Sequence, residues 1–179
     1  RDAFRVSPCI GRLSFVDERV SLGPLQKERP QTFVLELLVA GTSPGKHRLM
    51  QIDVDGTVPG LDQRPARSSY TLTMPFDRQS RGASSVPTEI TLALRKLAIF
   101  KMQERAIADA ELGQIEPAAS GLKVLATRLL DIGETELAHA ALLEAGHLAE
   151  TGSLSPAGRK KIRFGTRGLG IPSKEVRYD

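Results

Sequence analysis

A chain of 179 residues, 40% hydrophobic and 26% charged, has the length for one medium domain or two small ones, and its composition is that of a globular protein rather than a disordered one. One cysteine, Cys9, excludes an internal disulfide and any cysteine-built zinc site. A net charge of +4 permits acidic partners without requiring them. With 4% aromatic residues and no Trp, the core has to be built from Leu, Ile, Val and Ala. No apolar run approaches a membrane span and no secretory leader is visible, so the expected location is cytoplasmic. The first residue is Arg1 rather than Met, which suggests a piece of a longer protein.

Residues 1–79 alternate with period two between Pro and Gly punctuation, the mark of short strands. Strands are predicted at 11–16 and 18–22. In 33–39 (FVLELLV), Phe33, Leu35, Leu37 and Val39 share a face. In 49–58 (LMQIDVDGTV), Met50, Ile52, Val54 and Val58 point one way, and Gln51, Asp53, Asp55 and Thr57 the other. In 70–76, Tyr70, Leu72, Met74 and Phe76 face inward. Strands with one apolar face each predict a small antiparallel β-sandwich.

From residue 85 the period becomes helical. A first helix is predicted from Pro87, capped by Ser84 or Ser85, to a stop at Gly113. Ile90, Leu92, Leu94, Leu97, Ile99, Phe100 and Met102 wrap more than one of its faces, which predicts cover on two sides, by the sheet and by later helices. A second helix starts near Pro117, carries Leu122, Leu125, Ala126, Leu129 and Leu130, and closes at Gly133. A third places Leu137, Ala141, Ala145 and Leu148 on one stripe and ends at Gly152. A fourth, short and basic, has Ser155 as N-cap and Pro156 in its first turn. The predicted class is thus α+β: an N-terminal β-sandwich (1–79), a three- to four-helix bundle (80–169) and a tail (170–179).

Two motifs bear on chemistry. Asp53-Val-Asp55-Gly-Thr is the run that, in magnesium-dependent phosphatases, supplies a nucleophile and a proton carrier. That chemistry needs a loop after a buried parallel strand, whereas here Gln51 interrupts the apolar run and alternation continues to Val58. Both carboxylates are therefore expected on the open face of an antiparallel strand, and the phosphatase stands as the disfavoured alternative. The second motif is the cationic cluster Arg159, Lys160, Lys161, Arg163 and Arg167, with Phe164 as its one aromatic neighbour. It suits an acidic protein surface or nucleic-acid phosphates; the mild net charge argues against nucleic acid. His47, His139 and His147 are too scattered for a ligand set, and Cys9 reads as a small apolar residue.

Met102–Ala106, the turn Gly113-Gln114-Ile115-Glu116, Leu125–Leu130 and Gly158–Arg167 together resemble the C-terminal region of bacterial proteins carrying a von Willebrand factor A domain; the likeness covers about residues 10–169. The resemblance implies an A domain followed by a β-sandwich and a helical bundle, and protein–protein recognition. The family's Asp-x-Ser-x-Ser metal motif is absent, so none of its metal ligands carries over, and the A domain would lie upstream or be inserted in the sandwich of the parent. The resulting expectation is a non-enzymatic accessory module without cofactor, binding a protein partner through Arg159, Lys160, Lys161, Arg163 and Arg167.

Overall fold

A computed structural model describes residues 2–26, 29–41, 43–58, 65–77 and 86–169. The chain is α+β, with antiparallel sheets in the N-terminal part and four helices after them. The strands are β1 (Asp2–Ser7), β2 (Gly11–Leu13), β3 (Phe15–Val16), β4 (Arg19–Val20), β5 (Thr32–Glu36), β6 (Gly45–Thr57) and β7 (Pro65–Phe76). The helices are α1 (Thr88–Glu111), α2 (Ile115–Leu130), α3 (Thr135–Thr151) and α4 (Pro156–Gly168). The predicted tail, the Ser84–Ser85 cap and most of the 77–85 linker lie outside the described residues.

Periodicity divides the chain at residue 79; packing divides it elsewhere. One unit runs to Glu36 and resumes at Val86, and the other spans Leu37–Ser85. The reason is β1, a strand that the period-two reading passed over. Its Phe4 and Val6, with Ile10 just beyond, are fully buried in the same cluster as Leu97 and Phe100 of α1 and Leu122, Leu125 and Leu129 of α2. Burying each such side chain contributes roughly 1.5–3 kcal/mol, which holds the strand to the helices.

In this first unit the sheet order is β2-β1-β5, all antiparallel, with Phe4 opposite both Arg12 and Val34. Arg12 bridges Asp2 at 2.9 Å and Glu104 of α1 at 3.4 Å, and Lys101 of α1 pairs with Glu36 at 2.5 Å. Both cations also lie over the Phe4 ring, 4.8 and 4.7 Å from its centroid. These are partly exposed pairs, each worth about 0–1 kcal/mol, so they orient the sheet on α1 while Phe4 and Val6 supply most of the binding energy. β3 and β4 form a hairpin whose two turn residues, Asp17 and Glu18, have φ of 49° and 61°, the turn that matches strand twist.

The second unit is a two-stranded antiparallel ribbon, β6 with β7, paired from Gly45–Phe76 to Thr57–Pro65. A bulge between Arg48 and Met50 makes Leu49 the extra residue. One face carries His47, Met50, Ile52 and Val54 with Met74, Leu72 and Tyr70; the other carries Lys46, Arg48, Gln51, Asp53 and Asp55. The alternation is as the residues predict, yet the face predicted to look into a sandwich core is open at Tyr70 (64% exposed) and Met74 (47%). Likewise β5 stops at Glu36 rather than Val39, and Leu38 is 98% exposed.

The helices end at the predicted stops Gly113, Gly133 and Gly152, whose φ of 74°, 83° and 72° suits glycine. Pro87 occupies the N-cap of α1 rather than its first turn, and no side chain caps that end. Of the apolar residues on α1, Leu97, Ile99 and Phe100 are buried, whereas Ile90, Leu92 and Leu94 are exposed: two-sided cover begins only past the first turns. On α2, Leu122, Leu125, Ala126 and Leu129 are buried, but Leu130 falls outside the stripe and is exposed. The stripe of α3 is buried as predicted.

Close helix approach depends on glycine. A β-carbon at Gly165 of α4 would stand 2.5 Å from Leu137 Cδ1 of α3, and one at Gly121 of α2 would stand 3.3 Å from the Ala106 side chain of α1. At Gly158 it would overlap the Glu144 carboxylate of α3. Gly146, by contrast, faces open space. Gly158→Ala should therefore lower stability by about 1–3 kcal/mol through overpacking, while Gly146→Ala should raise it by about 0.5–1 kcal/mol through helix propensity. Urea unfolding of the two variants beside wild type checks both signs; equal shifts would contradict the packing described.

Candidate interaction surface

The fourth helix carries the chemistry that the residues single out, and its placement begins at its N-cap. The Ser155 hydroxyl accepts from the Gly158 amide at 2.9 Å, the cap predicted from Ser155-Pro156. Glu144 of α3, buried, accepts from both the Ser155 amide and, at 2.9 Å, the Ser155 hydroxyl. Further along, the buried Thr166 hydroxyl reaches Gln103 Oε1 of α1 at 2.9 Å. The Ile10 amide donates to the Arg167 carbonyl at 2.9 Å, closing the helix end onto the strand side of the unit. Ile162 and Thr166 form the buried edge of α4.

That anchoring decides where the cations go. Arg159, Arg163 and Arg167, four residues apart, run beside α1. Arg159 pairs with Glu111 of α1. Arg163 and Arg167 line a groove of about 270 Å³ together with Glu104, Glu111, Phe100, Gln103, Ile107 and Ala108 of α1. Lys160 and Lys161 are exposed on the outer side. Phe164 stands among them, 60% exposed, a large apolar side chain with no place in the core. The cluster is thus split. One cation is paired within the bundle, two share a groove with carboxylates, and two lysines flank an open aromatic ring.

The other singled-out residues do not join it. Asp53 and Asp55 lie on β6, opposite Ser69 and Arg67 of an antiparallel partner, and both are exposed. Asp53 accepts from Gln51 Nε2 at 3.2 Å. The Ser69 hydroxyl, then the Gln51 amide and the charge of Arg67, hold its carboxyl below the ordinary carboxylate range. His47 bonds the Ser43 carbonyl at 2.9 Å and meets Phe76 edge-on. His139 and His147 are exposed on α3. Cys9 is half-buried, with the Arg5 guanidinium 3.7 Å from its sulfur. Among the described residues no three His, Cys, Asp or Glu side chains gather closely enough to hold a metal ion. No helix of the described residues is long and apolar enough to cross a membrane.

Sequence reasoning weighed the cations of α4 and passed over what positions them. Glu144 falls on the apolar stripe of α3, three residues past Ala141 and next to Ala145, and an acid at a core position signals a buried partner. Gly158 and Gly165, seven apart on α4, are the complementary signal of close helix approach.

Residues 88–172, somewhat under half of the chain, match the family model described as Sll0103-like, C-terminal alpha-helical domain. The matched stretch begins where α1 begins and contains all four helices. Searches of the curated proteins and of the solved structures return no match.

Because the Asp53 carboxyl is depressed, its stabilising contribution is present above the ordinary carboxyl pKa and is lost as pH falls through the depressed value. Carbon-detected NMR titration should place Asp53 below the ordinary value of about 3.9, and Ser69→Ala should move it back up. An Asp53 titration unmoved by Ser69→Ala would contradict the assigned cause.

Proposed function

We propose that this chain is a non-enzymatic accessory and interaction module of a protein carrying a von Willebrand factor A domain, and that it binds a protein partner through the outer side of α4. The observation that carries the reading is Phe164, open among Lys160, Lys161, Arg163 and Arg167 on a helix tied down at both ends. Aromatic and arginine side chains are the residue types that dominate binding energy at protein interfaces. The match to a C-terminal domain supports a position behind other domains in a longer chain. The resemblance carried by Met102–Ala106 and Gly158–Arg167 supports an A domain as the adjoining one.

Nucleic acid is the second reading of the same helix. Glu104 and Glu111 share the groove with Arg163 and Arg167, and Arg159 is already paired. Carboxylates beside the cations repel a polyanion and favour a protein surface of mixed charge. A phosphatase centred on Asp53 and Asp55 would need carboxylates converging past a parallel strand, and β6 pairs antiparallel with both acids on its exposed face.

An A domain found in the same reading frame, titrated calorimetrically with this chain, should bind; a reading frame without one would remove the von Willebrand factor A assignment. The triple change Lys160→Glu, Lys161→Glu, Phe164→Ala should weaken that binding at least about tenfold, the size expected for losing one interface anchor. Unchanged affinity would remove the assignment of α4. Salt-dependent binding to duplex DNA, lost in the same variant, would replace it with the nucleic-acid reading.

A further inference from the structure

The charge pattern of β6 has a symmetry that its pairing with β7 does not use. Counted through the bulge, Lys46, Arg48, Gln51, Asp53 and Asp55 occupy five successive positions on one face, opposite Pro75, Thr73, Thr71, Ser69 and Arg67. The order along the face is therefore two cations, a neutral amide and two anions. All five residues are exposed. Among the described residues, Lys46, Arg48 and Asp55 make no ion pair.

We propose that the outer edge of β6 pairs antiparallel with β6 of a second copy of this chain about a two-fold axis at Gln51, joining two ribbons into one four-stranded sheet. Such an axis sets Gln51 against Gln51, Arg48 against Asp53 and Lys46 against Asp55 of the second copy, and the reverse on the other side. On the opposite face it sets Met50 against Ile52 and His47 against Val54, so the apolar stripes of the two ribbons run together. Moving the axis one same-face position sets Asp53 against Asp53, or Arg48 against Arg48. The Gln51 register is the one in which all four charges meet an opposite charge, and like charges directly opposite are destabilising.

The other edge of the ribbon is less suited to this pairing. β7 carries Pro65 and Pro75 near its two ends, which lack the N–H that a ladder needs there, whereas β6 contains no proline. Within the described residues β6 pairs with β7 alone, leaving one edge of its backbone for an added strand. A two-stranded ribbon is marginal by itself, and three or more strands with an apolar face are needed for independent stability. A second copy supplies the extra strands and, by two-fold symmetry, the complementary charges.

Analytical ultracentrifugation of the 179-residue chain over a concentration series tests this, with circular dichroism confirming that each variant folds. Wild type should dimerise. Lys46→Glu with Arg48→Glu should be monomeric, and so should Asp53→Lys with Asp55→Lys. An equimolar mixture of the two variants should form a one-to-one heterodimer, since one chain then presents four anions and the other four cations. Gln51→Cys in a Cys9→Ser background should cross-link to itself under mild oxidation, because facing residues of an antiparallel pair have Cα atoms about 4.5–5.5 Å apart, within disulfide range. Thr57→Cys in the same background should not. A monomeric wild type, reversed variants that still dimerise, a mixture that stays monomeric, or a Gln51→Cys variant that does not cross-link would each overturn the proposal.

Discussion

The bundle turns on one buried carboxylate. Glu144 sits on the apolar stripe of α3, where a charge without partners would cost several kcal/mol. It is held there by the amide and hydroxyl of Ser155, the residue that caps α4. The cost of burying the acid is thus offset by fixing the start of the next helix. Gly158 completes the joint, because any β-carbon at that position would occupy the space of the carboxylate. One residue pair and one missing side chain set where α4 begins and how near it lies to α3. Gly165, two turns on, keeps that spacing against Leu137, and the Thr166–Gln103 bond extends the attachment to α1.

A rigidly placed α4 gives the basic segment its meaning. Free in solution, Arg159 to Arg167 would be a solvated run of charge. Anchored, the run is sorted by helical geometry into an arginine paired with Glu111, two arginines bordering a groove, and two lysines beside an exposed Phe164. Side chains held in place lose less entropy on binding, and a large exposed ring on a fixed helix is the kind of anchor that interfaces use.

Much of the helical half was legible in the residues, because its signals are local. Glycine stops, the Ser155-Pro156 cap and the stripe of α3 depend on neighbours within one turn. The N-terminal part was less so. β1 carries Phe4 and Val6 on a short strand whose Ala3 and Ser7 are buried too, so the brief Phe4-Arg5-Val6 alternation does not define its buried faces, and only the tertiary cluster reveals its place with the helices. The bulge at Leu49 hides in a similar way: it lets His47 and Met50 share a face although they are three positions apart. Of the candidate surface, the five cations were readable as a cluster. Their division was not, since Glu104 and Glu111 come from a helix some fifty residues earlier.

The account rests on α4 being as fixed as the helices it packs on. Native-state amide hydrogen exchange measures that directly. If Glu144, Gly158 and Gly165 lock the helix, the amides of Ile162 and Thr166 should exchange through the same global opening as those of Leu125 on α2 and Leu148 on α3. Exchange of the α4 amides through a separate, much lower-energy opening, with α2 and α3 still protected, would show a loosely attached helix and contradict it.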